Sequence, residues 1–265
     1  MQSQSTDIDP LPHRWRNLLP LTGLTRVQAR TVYTMIRKQL PPRTGRPWSM
    51  PLSVRLLLVL IHLRTNLTTR ALAALFHTSQ STVDRTIHHL APLLAAALRR
   101  APDNTSTRPW IIDGTLIPVH DQSISAISKS YRRSINTQII ICAHQRRVVI
   151  TGRCWPGNRN DVIVARATVA PLLTGHHRIL GDGGYRGIIT ITTPRRDHTG
   201  RIIRDDHYRA HRRIRARVEH VIARLKDWQI LRQCRRRGQA STTASKSSPD
   251  SATSRPTRHY GSTLS

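Results

Sequence analysis

Apolar positions recur at two different spacings along this chain, and the change of spacing divides it. In roughly the first hundred residues the spacing is helical. Residues 25–39 place Val27, Val32 and Ile36, with Leu40 beyond them, near one face of a helix, and the Pro-Pro-Arg-Thr-Gly-Arg-Pro run at 41–47 ends it. Three more helices are predicted over 52–63, 69–76 and 82–98. The last two have the layout of a helix-turn-helix. Thr68 and Thr69 are placed to cap the first, Leu72, Leu75 and Phe76 pack it, and residues 77–80 form the turn. Ser81 then caps a second helix whose Val83, Ile87 and Leu90 point inward. Its remaining residues, Gln80, Thr82, Asp84, Arg85 and His88, are left to face a DNA groove. An ordinary helical hairpin has the same pattern, so periodicity alone does not choose between the two.

Past a Pro-, Asn-, Ser- and Thr-rich stretch at 101–109 the period shortens. Residues 110–113 form a short apolar strand, and 138–143 and 148–155 are β-branched runs joined by His144-Gln145-Arg146-Arg147. Residues 161–173 are helical, 178–182 and 187–193 are short strands, and 212–229 is a late helix. This order predicts an α/β fold around a mixed sheet, preceded by a small all-α domain. The expected domains are an irregular N-terminal region with one helix (1–46), a helix-turn-helix domain (47–100), and an α/β domain (101–238). The final stretch, 239–265, is about half Ser and Thr and is expected to be a disordered tail. An ending read out of frame would have the same composition.

Charge narrows the partner. Of 265 residues, 43 are Lys or Arg and 14 are Asp or Glu, giving a formal charge of +29. Such a chain attracts polyanions, so double-stranded DNA is the first partner to expect and an acidic small molecule a distant second. The charge favours the DNA-binding reading of the helical pair. The longest apolar run, residues 56–61, is far short of the roughly 20 residues that span a bilayer, and the polar opening MQSQSTDIDP is no signal peptide. Three cysteines without a CxxC pair argue against a disulfide framework or a cysteine zinc site. A cytoplasmic, nucleoid-associated protein is expected. Only four of the basic residues are lysine, a ratio that a GC-rich genome produces without selection, so no function is drawn from it.

The acidic residues are more informative, because 13 of the 14 are aspartate and the single glutamate is Glu219. Asp113 ends the apolar strand Trp110-Ile111-Ile112, before Gly114 and Thr115; Asp182 ends Ile179-Leu180-Gly181, before Gly183 and Gly184. Carboxylates at the carboxyl ends of strands lie where open α/β sheets bind ligands, and flanking glycines admit a phosphate close to the backbone. Glu219 stands at the edge of the stripe Ile214, Val218, Ile222 and Leu225, near Arg215 and Lys226; a solvated pair with Arg215 is the simpler role for it. Three such carboxylates suit Mg²⁺ or Mn²⁺, and two ions about 4 Å apart serve an in-line phosphoryl displacement.

Four ordered segments, Trp110-Ile-Ile-Asp-Gly-Thr115, Cys154-Trp-Pro-Gly-Asn-Arg-Asn-Asp161, Leu180-Gly-Asp-Gly-Gly-Tyr185 and Arg215-x3-Glu219-x6-Lys226, resemble the motifs of DDE transposases of bacterial insertion sequences. Within that family the resemblance is to the group related to Harbinger elements, and it covers about residues 50–237. It implies a ribonuclease H-like catalytic fold, two divalent metals, and cleavage and strand transfer at an element's terminal repeats by a homo-oligomer on DNA. By strand topology the metal triad maps onto Asp113, Asp182 and Glu219. Asp161 is a rival for the second position, with a helix N-cap as its other role. Arg215 and Lys226 match positions that contact phosphates, while the tyrosine expected three residues before the arginine is Arg212 here. A DNA-binding protein without catalysis, such as a repressor or an inactive remnant, is the alternative. Other patterns are weaker: the glycines at 181–187 fit no phosphate-loop spacing, and no histidine has a zinc-finger spacing.

Overall fold

The computed structural model describes residues 18–42, 45, 47–98, 107–129, 132–173, 175, 176 and 178–236. The expected Ser/Thr-rich tail, the first 17 residues and most of the 101–109 boundary lie outside the described residues.

Helix α1 (Leu19–Thr22) leads into α2 (Arg26–Gln39), which opens with a capping box. Thr25 Oγ1 accepts from the Gln28 amide at 3.3 Å, and Gln28 Oε1 accepts from the Thr25 amide at 2.9 Å. Ala29, Val32 and Ile36 are buried, but Val27 is 76% exposed. It precedes Val32 by five residues, which turns it about 140° away from that stripe. Helix α3 (Leu52–Thr65) buries Leu56, Leu58, Val59, Leu60, Ile61 and Leu63, and a helix apolar on nearly all sides is one surrounded by protein.

Helices α4 (Thr69–Leu75) and α5 (Gln80–Leu98) form the expected pair, with Thr68 capping α4. The cap of α5 differs from expectation. Ser79 holds that position, its hydroxyl accepting from the Thr82 amide at 3.2 Å, and Ser81 lies within the first turn. His77, at a left-handed φ of 49°, closes the turn early enough for the helix to begin at Gln80.

The α/β region contains β1 (Trp110–Pro118), β2 (Ala126–Ile127), β3 (Arg133–Cys142), β4 (Arg147–Thr151), β5 (Trp155–Pro156), α6 (Asp161–Thr168), β6 (Ile179–Leu180), β7 (Ile191–Thr192), α7 (Asp206–Leu225) and α8 (Gln229–Arg232). The sheet is mixed, as expected. β1 and β3 pair antiparallel along their length, β2, β5 and β4 share the outer edge of β3, and β6 and β7 add parallel strands on the other side of β1. Two strands are longer than their apolar runs. β1 does not end at Asp113 but continues to Pro118, and β3 begins at Arg133, because Ser134, Asn136, Thr137 and Gln138 are polar yet buried. Helix α7 likewise starts at Asp206, capped by Asp205, whose carboxylate accepts from the Tyr208 amide at 2.8 Å.

Side chains alternate across the sheet, so each face has its own core. Ile111, Ile117, Ile135, Ile139 and Ile141 pack with Val218, Val221 and Leu225 of α7, and this core runs on into α2, α3 and α5. Trp110, Ile112, Ile140 and Cys142 pack on the other face with Ala165 of α6 and with Val169.

Candidate active site

The parallel half of the sheet is short, and its shortness creates the site. β6 pairs only with the first two residues of β1, Ile179 opposite Trp110 and Leu180 opposite Ile111. Beyond Leu180 the chain leaves the sheet for a 3-10 turn (Gly183–Tyr185), while β1 continues. Two residues past the last pair, each strand carries an aspartate. Asp113 lies on the face of Ile111 and Ile139, toward α7, and Asp182 stands beside it in an extended conformation. Asp113 Oδ1 accepts from the Gly114 amide at 2.9 Å, and Asp182 Oδ1 accepts from the Gly184 amide at 2.8 Å. Burial raises the Asp113 carboxyl to about 6; Arg215 and the Gly114 amide oppose the rise, and the charges of Asp182 and Asp161 add to it.

Asp161 approaches from the other face. It does not cap α6, because Asn160 occupies that position. Its Oδ1 accepts from Asn136 Nδ2 at 2.8 Å and Gln138 Nε2 at 3.0 Å, above Gly114. A Cβ on Gly114 would lie 2.2 Å from that oxygen, so only glycine admits the carboxylate. Gln138 Oε1 in turn accepts from the buried Tyr185 hydroxyl at 2.5 Å. From the sequence alone Asn136 and Gln138 had no role, and Tyr185 figured only as the last residue of a motif. The signal was there: Ser134, Asn136 and Gln138 fall at every second residue of a strand, one polar face inside a β-branched run.

Helix α7 lies across the Asp113 face. Arg215 acts on Asp113 through its charge, and its Nε is buried without a hydrogen-bond partner. Glu219 is one turn further on, exposed and not paired with Arg215. No group of three His, Cys, Asp or Glu residues among the described residues has metal-binding geometry, so Glu219 is not drawn in with Asp113 and Asp182. Lys226, at the end of α7, borders a small cavity with Thr115, Ile117, Thr137 and Ile222. On α5, Gln80, Arg85 and His88 are exposed as expected, but Thr82 is buried. Its amide and hydroxyl both bond to Ser79, which takes it out of the groove-facing set.

A helical pair with Gln80, Arg85 and His88 exposed thus precedes a mixed sheet in which two neighbouring aspartates lie just past the last β1–β6 pair. The chain belongs to the DDE transposases: the helix-turn-helix of DDE superfamily endonucleases matches residues 48–100, and the transposase DDE domain matches residues 105–245. It is 42% identical over 228 residues, 83% of this chain and 88% of the other, to the "Putative transposase for insertion sequence element IS112" of Streptomyces albus G. The chain is therefore a transposase with a ribonuclease H-like catalytic fold. Its family consists of endonucleases that bind DNA and use divalent metal ions. No helix among the described residues is long and apolar enough to cross a membrane.

Proposed function

We propose that this transposase cleaves the terminal repeats of an insertion element and joins the freed ends to target DNA by transesterification, using two Mg²⁺ or Mn²⁺ ions held by Asp113, Asp182 and Glu219. One observation carries the reading. Two carboxylates stand side by side just past the last paired residues of parallel strands, and burial, with smaller additions from the charges of Asp182 and Asp161, resists ionisation of Asp113 against the pull of Arg215. A divalent cation offsets that burial and repulsion, and a donor set of carboxylate oxygens without sulfur or imidazole suits a hard ion. Bound there, the ions would activate the attacking hydroxyl and stabilise the leaving oxygen.

The chain's own residues supply the rest. Arg215, with a buried Nε that lacks a partner, is placed to hold the scissile phosphate beside Asp113. Lys226 contacts the backbone further along α7. Asp182 is favoured over Asp161 as the second ligand, because it shares the crevice with Asp113 while one oxygen of Asp161 is committed to two amides on the other face. Glu219, exposed one turn from Arg215 and apart from the two aspartates here, is assigned as the third ligand from its place in the Arg215-x3-Glu219-x6-Lys226 motif. Gln80, Arg85 and His88 on α5 read the terminal repeat, and a second copy of the chain holds the other element end.

The test is nicking of terminal-repeat DNA with and without Mg²⁺. Glu219→Gln is expected to lower the metal-dependent rate at least 100-fold with DNA binding retained, and activity equal to wild type would sink the assignment. Joined products distinguish a transposase from a nuclease that only hydrolyses.

A further inference from the structure

We propose that Tyr185, Gln138, Asn136 and Asp161 form a positioning network that fixes the spacing of Asp113 and Asp182 from the opposite face of the sheet. The inference rests on the reading of those two carboxylates as metal ligands. Asp113 and Asp182 belong to separate segments, and the backbone pairing that joins their strands stops two residues before either of them. Something else must hold them in register.

The network spans that gap. Tyr185 is part of the 3-10 turn that follows Asp182, and its hydroxyl donates to Gln138 Oε1 at 2.5 Å. That bond settles the orientation of the Gln138 amide, whose Nε2 donates to Asp161 Oδ1 at 3.0 Å and Asn136 Oδ1 at 3.1 Å. Asn136 Nδ2 donates to the same Asp161 oxygen at 2.8 Å and to the Arg159 carbonyl at 3.1 Å, which ties down the segment before α6. Asp161 Oδ1 lies against Gly114, and the Gly114 amide donates to Asp113 Oδ1 at 2.9 Å. A continuous path thus runs from the turn of Asp182 to the carboxylate of Asp113.

Two features separate positioning from plain stability. Ile112, Ile140 and Ala165 on this face are apolar, so leucine and phenylalanine would fill the space of Gln138 and Tyr185 and leave only Asn136 Oδ1 and Asp161 Oδ1 each short of one donor. The network also sets a carboxylate oxygen of Asp161 against Gly114, the residue next to Asp113, where it excludes any side chain.

The experiment compares full-length wild type, Tyr185→Phe and the double variant Tyr185→Phe/Gln138→Leu, reading Mn²⁺ affinity by electron paramagnetic resonance and melting temperature without metal. Both variants are expected to bind Mn²⁺ about 10-fold more weakly. The double variant, in which Asn136 Oδ1 and Asp161 Oδ1 each lose one donor, is expected to melt within about 8 °C of wild type. Mn²⁺ affinity within twofold of wild type in the double variant overturns the proposal. So does a double variant that melts more than about 10 °C lower, since the network then holds the fold and not the ligands. Asp113→Asn tests the underlying reading separately: unchanged Mn²⁺ binding there removes the metal site itself, whereas lost binding with an unaffected double variant removes only the network.

Discussion

Asp113 carries an energetic load that the proposed metal-ligand role would explain. Its carboxyl stands at about 6 in the folded protein against an ordinary 3.8, so the folded state holds this proton more tightly than the unfolded chain does. The associated stability is present below the ordinary value and is lost as pH rises through about 6, a loss of about 3 kcal/mol. Asp113→Asn is therefore expected to melt several degrees above wild type at pH 7.5 without metal and level with it at pH 4. Mg²⁺ should raise the melting temperature of wild type alone. Calorimetry at the two pH values checks this, and identical curves at pH 7.5 would mean that the acid is not strained. At this scale the sequence singled out residues that stand just past an apolar run, although β1 itself continues through Asp113 to Pro118. Asp113 and Asp182 follow apolar triplets, and Glu219 is the lone glutamate. The alternating polar face that carries Gln138 and the motif that ends in Tyr185 were visible, but their pairing was not, because a buried amide and a buried phenol acquire their meaning only from the residue they meet across the sheet.

Elements were legible as far as their burial was apolar. Helix α3 and the pair α4 and α5 came through with small shifts of their ends, whereas β3 lost its first half to buried polar residues and α7 its first two turns to Asp206, His207, Tyr208 and Arg209. The cap of α5 moved because turn geometry, not residue preference, chose between Ser79 and Ser81. That shift separates two roles on one helix. Ser79→Ala removes the cap and is expected to lower stability by about 1 kcal/mol. Arg85→Ala is expected to leave the melting temperature unchanged and weaken binding to terminal-repeat DNA, by roughly 1–3 kcal/mol if it meets a base edge. Denaturant melts and binding isotherms on both variants check the split, and a large stability loss in Arg85→Ala would contradict it. Helix α3 adds a titration of its own. Burial pulls the His62 imidazole down to about 4, and since its Nδ1 lies 3.1 Å from the Leu67 carbonyl, the neutral ring donates there. Its folded value is depressed, so its contribution is complete above about 6.5 and is lost as pH falls through about 4. This opposes the Asp113 effect. Asp113→Asn is thus expected to show a steeper loss of stability between pH 6 and 4 than wild type.

Read along the sequence, the DNA-binding helices and the catalytic sheet look like separate units, yet their cores are one. The segment after α7 joins them. Trp228 is fully buried and packs so closely on Gly23 that a Cβ there would lie 2.8 Å from its ring, while the Arg64 guanidinium sits over the indole at 5.6 Å. Asn66 Nδ2, at the end of α3, donates to the Gln233 carbonyl at 2.7 Å, and the next residue's amide donates to Pro118 at the end of β1 at 2.8 Å. The helix-turn-helix is therefore held in a set orientation to the strand that bears Asp113. A hydrophobic helix such as α3, stripped of α8 and Trp228, has too little polar surface to stand alone in water. Residues 18–98 expressed by themselves are accordingly expected to aggregate or lose helical content in circular dichroism. In the full chain, Trp228→Ala is expected to cost about 3–5 kcal/mol, in a single cooperative transition, and to depress terminal-repeat binding and cleavage together. Two separate melting transitions, or cleavage lost with binding intact, would show independent units. A single transition would mean that recognition and chemistry share one rigid frame, in which the position of α5 on the terminal repeat sets where the Asp113 crevice meets the phosphodiester.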